Sequence, residues 1–190
     1  MPTPPALVVK LGGALLAAPG ALAGVAAAAP ALVRHRALVV PGGGPFAEAV
    51  RAADRTDPLP DETAHWMAVL AMDQYAHLLA ARLPGATLVD GPEAIAELSA
   101  VGAGCLPVLA PYRWLRAADP LPHGWQVTSD SIAAWVAGAL GAPRLLLVKA
   151  ARGPLASIVD GYFAAALPRG VEAVALTPEE LIPWLERLED

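Results

Sequence analysis

The chain has 190 residues, 56% of them hydrophobic and 16% charged, with a formal net charge of −5. That length supports one domain with a substantial core and the composition excludes a disordered chain. The acidic balance leaves no basic footprint for nucleic acid or an anionic membrane, and the single cysteine, Cys105, excludes an internal disulfide and a cysteine-built zinc site. Among 13 basic residues only Lys10 and Lys149 are lysine, and each ends an apolar, β-like run. A chain that uses arginine elsewhere keeps lysine where a compact ammonium matters.

Leu7 to Val9 reads as a strand buried on both faces of a parallel sheet. Lys10 closes it, and Gly12-Gly13 form a turn whose backbone can approach a ligand. Open α/β sheets bind ligands at that edge, so the lysine is placed to meet phosphate. Leu11 to Val33 carries no charge, which raises a membrane span or a signal peptide. Its glycines, prolines and alanine-rich make-up, without a basic start, predict instead a turn and a helix over Ala21 to Arg34, interrupted or kinked near Pro30. The expectation is a cytoplasmic protein.

Ala37 to Val40 is the next strand, followed by Pro41-Gly42-Gly43-Gly44-Pro45 and a helix over Phe46 to Arg55. A strand, a triple-glycine turn and a helix start present backbone N–H groups to an anion. The spacing is neither that of a P-loop nor that of a dinucleotide fold. After a connector over Thr56 to Asp61, Glu62 to Leu83 forms the longest helix, with Trp66, Val69, Leu70, Asp73 and His77 on one face. A carboxylate and an imidazole on that stripe need partners, either each other, solvent or a substrate.

Thr87 to Val89 and Cys105 to Leu109 read as strands, with a short helix over Pro92 to Ser99 between them. Ala110 to Gly124 is rich in Pro, Arg and aromatic residues and reads as a lid or specificity loop, in which Arg113 and Arg116 are placed to hold a phosphate or simply to face solvent. Thr128, Ser129 and Asp130 are N-cap types before an apolar helix over Ile132 to Leu140. Arg144 to Val148 and Val171 to Leu176 complete the strands, and Thr177-Pro178-Glu179-Glu180 opens a last helix. Alternating strands and helices predict an α/β fold, a three-layer αβα sandwich around a mainly parallel sheet.

Val9-Lys10-Leu11-Gly12-Gly13, Pro41-Gly42-Gly43-Gly44-Pro45, Val127-Thr128-Ser129-Asp130-Ser131 and Leu146-Leu147-Val148-Lys149-Ala150, in this order and spacing, resemble the amino acid kinase family. The segments His65 to Tyr75 and Trp125 to Ser131 look like its methanofuran-pathway branch, which phosphorylates 5-(aminomethyl)-3-furanmethanol phosphate to the diphosphate. The resemblance implies ATP and Mg²⁺, a small phosphorylated acceptor, a homo-oligomer, and one kinase domain over 1–190 with an acceptor half of about 1–125 and a nucleotide half of about 126–190. It implies that Lys10, Asp130 and Lys149 are catalytic, with Asp130 orienting the lysines. Gly12, Gly13, Gly42, Gly43, Gly44, Thr128 and Ser129 would line the phosphate sites. Asp73, with His77 or Asp61, is expected to read an acceptor amine, and Arg113 or Arg116 its phosphate. The family's acidic loop after the strand ending at Lys149 is absent: Ala150-Ala151-Arg152-Gly153-Pro154 stands there, with Asp160-Gly161-Tyr162 only later. Arg152 is the candidate replacement cation. The alternatives are a kinase of the same fold acting on a nucleoside monophosphate, isoprenyl phosphate or amino-acid carboxylate, or a non-catalytic nucleotide-binding subunit.

Overall fold

The structure, a computed structural model, describes residues 5–101 and 104–188. Six strands form one sheet: β1 (Leu7–Leu11), β2 (Ala37–Pro41), β3 (Ala86–Val89), β4 (Leu106–Leu109), β5 (Arg144–Val148) and β6 (Glu172–Leu176). Their order is β3-β4-β2-β1-β5-β6 and all pairs are parallel. The helices are α1 (Ala21–Arg34), α2 (Gly44–Thr56), α3 (Asp61–Arg82), α4 (Pro92–Val101), α5 (Tyr112–Ala118), α6 (Ser129–Leu140), α7 (Leu155–Ile158), α8 (Phe163–Ala166) and α9 (Pro178–Glu186), with a 3-10 turn over Gly13–Leu16. No helix among the described residues is long and apolar enough to cross a membrane.

Alternation along the strands sorts the core into two layers. Leu7, Val9 and Leu11, with Val39, Leu146 and Val148, pack under Val25, Leu32, Leu181 and Leu185 of α1 and α9. Val8, Leu38, Val40, Leu145 and Leu147 pack under Ile132, Ala133, Val136 and Ala137 of α6. Lys10 falls on the α6 face, in the row between Val40 and Leu147. A cation there is only 3% exposed, and without a partner its burial would cost several kcal/mol. The chain builds outward from β1 to β2 and the edge strand β3, returns to insert β4 between those two, and then crosses to β5 on the other flank of β1. The crevice beyond Leu11 and Val148 is thus a topological switch point, where open α/β sheets bind ligands.

Several boundaries differ from the sequence reading. β1 continues through Leu11, so Lys10 lies inside the strand, and Cys105 is exposed ahead of β4. α1 runs unbroken through Pro30, which is exposed. The stretch read as a lid contains α5, and the one-turn helices α7 and α8 follow β5. On α3 the expected stripe shifts. Leu70 and His77 are exposed, whereas Trp66, Val69 and Met72 serve one core layer and Tyr75, Ala76 and Leu79 the other. Because α3 touches both layers, its buried residues are spread around the helix.

Candidate functional site

Asp130, the second residue of α6, joins the two lysines. Lys10 Nζ lies 2.8 Å from Asp130 Oδ1. Lys149, immediately after β5, donates to both carboxylate oxygens at 2.8 and 2.7 Å. Burial alone would push the Asp130 carboxyl up, but the Lys10 and Lys149 ammoniums outweigh it and hold the group below its ordinary value. Burial, reinforced by the like charge of Lys149, lowers Lys10 despite the attraction of Asp130.

The turn that carries Asp130 is held from outside its own helix. Thr128, the N-cap of α6, makes no side-chain cap bond. Asp160 takes that role: its Oδ2 accepts from Thr128 N at 3.0 Å, Thr128 Oγ1 at 2.7 Å and Ser131 N at 3.0 Å. Its Oδ1 accepts from the Ser131 hydroxyl and from Tyr162 N at 3.1 Å. Thr128 and Ser129 line the cavity beside Asp130.

The two glycine turns pack on each other. Gly12 N donates to Val148 O and Gly42 N to Leu11 O, both at 2.8 Å. A Cβ on Gly13 would stand 2.3 Å from Gly44 N, and one on Gly42 would stand 2.6 Å from Gly13 N. Gly12 and Gly42 therefore serve the joint between the turns, while Gly13, Gly43 and Gly44 also line the cavity. α2 starts there without a side-chain cap, with Pro in its first turn and no acidic residue in it. The N-termini of α2 and α6 border the same cavity as the lysines; that of α2 favours an anion, whereas that of α6 is already capped by the Asp160 carboxylate.

The cavity measures ≈ 670 Å³, and Val69, Met72, Val127 and Ile132 give it an apolar wall. Arg51, His65 and Trp125 also line it. The Arg51 guanidinium lies 4.2 Å over the Trp125 ring, and Trp125 Nε1 donates to Asp54 Oδ2 at 2.7 Å. Asp54 also accepts from Leu59 N, which together with Trp125 lowers its pKa. His65 stacks on His123 at 4.7 Å. Burial, then the neighbouring His123, pushes its pKa down to about 4, so it is neutral at pH 7. The sequence reading missed Arg51, Trp125, Asp54 and Asp160. The spacing Gly44, Ala47, Glu48, Arg51 marks one face of α2 and is a usable signal for Arg51; Asp160 is visible in the sequence as the acid that follows the shortened loop, but nothing local ties it to the start of α6.

Lys10, Asp130, Lys149, Gly13, Gly43, Gly44, Thr128 and Ser129 are brought together at this cavity. The remaining candidates lie outside its lining. Asp73 Oδ1 accepts from Tyr112 N at 3.0 Å, fixing the start of α5, and burial raises its pKa. His77 is exposed on α3. Arg113 pairs with Asp90 at 2.8 Å, and Arg116 pairs with Glu62 at 3.2 Å while covering the Trp66 ring at 4.7 Å. Arg152 pairs with Glu180 at 2.6 Å, at the start of α9. Neighbouring partners account for Asp73, Arg113, Arg116 and Arg152.

The profile of the amino acid kinase family matches residues 5–153. Among solved structures, a uridylate kinase from Archaeoglobus fulgidus is 17% identical, with a TM-score of 0.70 over 95% of each chain. A UMP kinase from Ureaplasma parvum is 13% identical, with a TM-score of 0.69 over 95% of this chain and 94% of that one. At these identities the likeness is one of fold. No curated protein matches the sequence.

Proposed function

The chain belongs to the amino acid kinase family and is an ATP-dependent kinase, and from that premise we propose that it converts a small phosphorylated acceptor, 5-(aminomethyl)-3-furanmethanol phosphate, to its diphosphate in methanofuran-type cofactor biosynthesis. The observation that carries this reading is where the segments of narrower resemblance lie. His65, Val69 and Met72 from one, and Trp125, Val127 and Asp130 from the other, line the same cavity as Lys10 and Lys149.

In the proposed reaction an oxygen of the acceptor phosphate attacks the γ-phosphorus of ATP. A new P–O bond forms, the bond to the β-phosphate oxygen breaks, and ADP leaves. Such transfer needs positioning and charge neutralisation more than covalent help. Lys10 and Lys149 supply cations where charge collects, and the uncapped N-terminus of α2 adds an oriented dipole. Asp130 holds both ammoniums. Because its pKa is depressed, it is no base, and an acceptor that is already an anion requires none. Glu48, the cavity carboxylate not held by the lysines, pairs with Arg51 of its own helix at 3.4 Å and is our choice for the acceptor's ammonium in place of Asp73.

Among the described residues no group of three or more His, Cys, Asp or Glu side chains could hold a metal ion, and both oxygens of Asp130 are taken by lysine. Among the described residues there is thus no carboxylate cage to assign, and Mg²⁺ enters this reading as the counterion of ATP. The acceptor half of about 1–125, the nucleotide half of about 126–190, a homo-oligomeric assembly and a cytoplasmic location belong to the same proposal. A nucleoside monophosphate acceptor is the second reading, favoured by the fold shared with the two uridylate kinases. Incubation with ATP, Mg²⁺ and a panel of phosphorylated acceptors, with diphosphates detected by mass, separates them: exclusive conversion of UMP would replace the furan reading.

A further inference from the structure

We propose that Asp160 is a positioning residue for phosphoryl transfer, holding Asp130 in register with Lys10 and Lys149; this rests on the kinase reading. Asp130 lies between Thr128 and Ser131, and Asp160 binds both. Its clamp therefore closes on either side of the residue that bridges the lysines. Asp160 also follows Lys149 on the same segment after β5, so one stretch of chain delivers a lysine and fixes that lysine's partner. Five donors converge on the carboxylate, which has about four lone-pair sites. It has no acceptor capacity left for a metal or a nucleotide hydroxyl, and it lies outside the cavity lining. Its action on the reaction is through α6.

The isosteric Asp160→Asn replaces one acceptor oxygen with a donor that faces other donors. A displaced Asp130 misaligns both ammoniums, and a misplacement of about 1 Å costs on the order of a hundredfold in rate. The expected result is a kcat lower by roughly 10- to 100-fold, with KM for ATP and acceptor within about threefold. Deuterium uptake at amides 128–132 should rise while the β1 and β2 amides stay protected. Ser131→Ala removes a single clamp bond and should act in the same direction but more weakly. The double variant should be no worse than Asp160→Asn, because the two residues act as one unit. A raised KM for ATP at unchanged kcat would make Asp160 a nucleotide ligand and overturn the proposal. A lower melting temperature at unchanged kcat would make it merely structural, with the same consequence. If the wild type transfers no phosphoryl group to any acceptor, the kinase reading falls on its own, and unchanged uptake at 128–132 would then overturn the clamp.

Discussion

Asp130→Asn tests the logic of the centre most severely, since it keeps the shape and removes the charge. Asp130 is 4% exposed and Lys10 3%. Its two oxygens hold Lys10 at 2.8 Å and Lys149 at 2.8 and 2.7 Å. An amide can accept from one lysine, but its nitrogen then opposes the other. Breaking a buried ion pair by removing one partner costs about 3–5 kcal/mol. The ceiling is the cost of neutralising Lys10 instead: from an ordinary value of 10.5 that is about 5 kcal/mol at pH 7. At about 2–4 °C per kcal/mol for a chain of this size, the melting temperature should fall by roughly 10 °C. The pH profile adds a signature. Because the folded Asp130 pKa lies below its ordinary 3.8, the wild type keeps this stability above that value and loses it as pH falls through the lower folded value. The variant should lack that acid limb. Thermal melts from pH 2 to 8, together with kcat, decide the matter. An Asn variant with native melting and near-native kcat would refute the argument.

Three further outcomes follow from the geometry. Gly13→Ala drives a Cβ to 2.3 Å from Gly44 N and should cost about 1–3 kcal/mol as well as lower kcat, read by melting and steady-state kinetics. His65 has a folded pKa of about 4 against an ordinary 6.5, so the unfolded chain binds more protons between these values and stability falls as pH drops through that window; His65→Gln should flatten the fall in denaturant titrations. The Tyr75 hydroxyl is buried without a hydrogen-bond partner among the described residues, and burial pushes its pKa up to about 12, so Tyr75→Phe should stabilise the fold by about 1 kcal/mol or more, measured by urea unfolding.

The sheet was legible because each strand is a short apolar run bounded by Gly, Pro or charge, and the lysines stood out because they are the two in the chain. The turns at Gly12-Gly13 and Pro41 to Pro45 read in the sequence as approaches to a ligand, whereas the close approach in the structure is between the turns themselves. Long-range contacts explain what was hidden. Asp73 was read against its own helix, yet its partner is Tyr112 N, 39 residues away. The cap of α6 was sought among Thr128, Ser129 and Asp130, which have the local chemistry for it, but it comes from Asp160. α5 lay hidden among Pro, Arg and aromatic residues that resemble a loop, and no local period could show that α3 serves two core layers at once.

The central claim is that Lys10, bridged to Lys149 by Asp130, neutralises the phosphoryl group as it moves to a phosphorylated acceptor. The direct measurement is single-turnover transfer from γ-labelled ATP to 5-(aminomethyl)-3-furanmethanol phosphate, with wild type and Lys10→Ala compared after both are shown to fold. The account predicts one phosphoryl group added to the acceptor and a rate lower by roughly a hundredfold or more in the variant. Equal rates in the two proteins would contradict it.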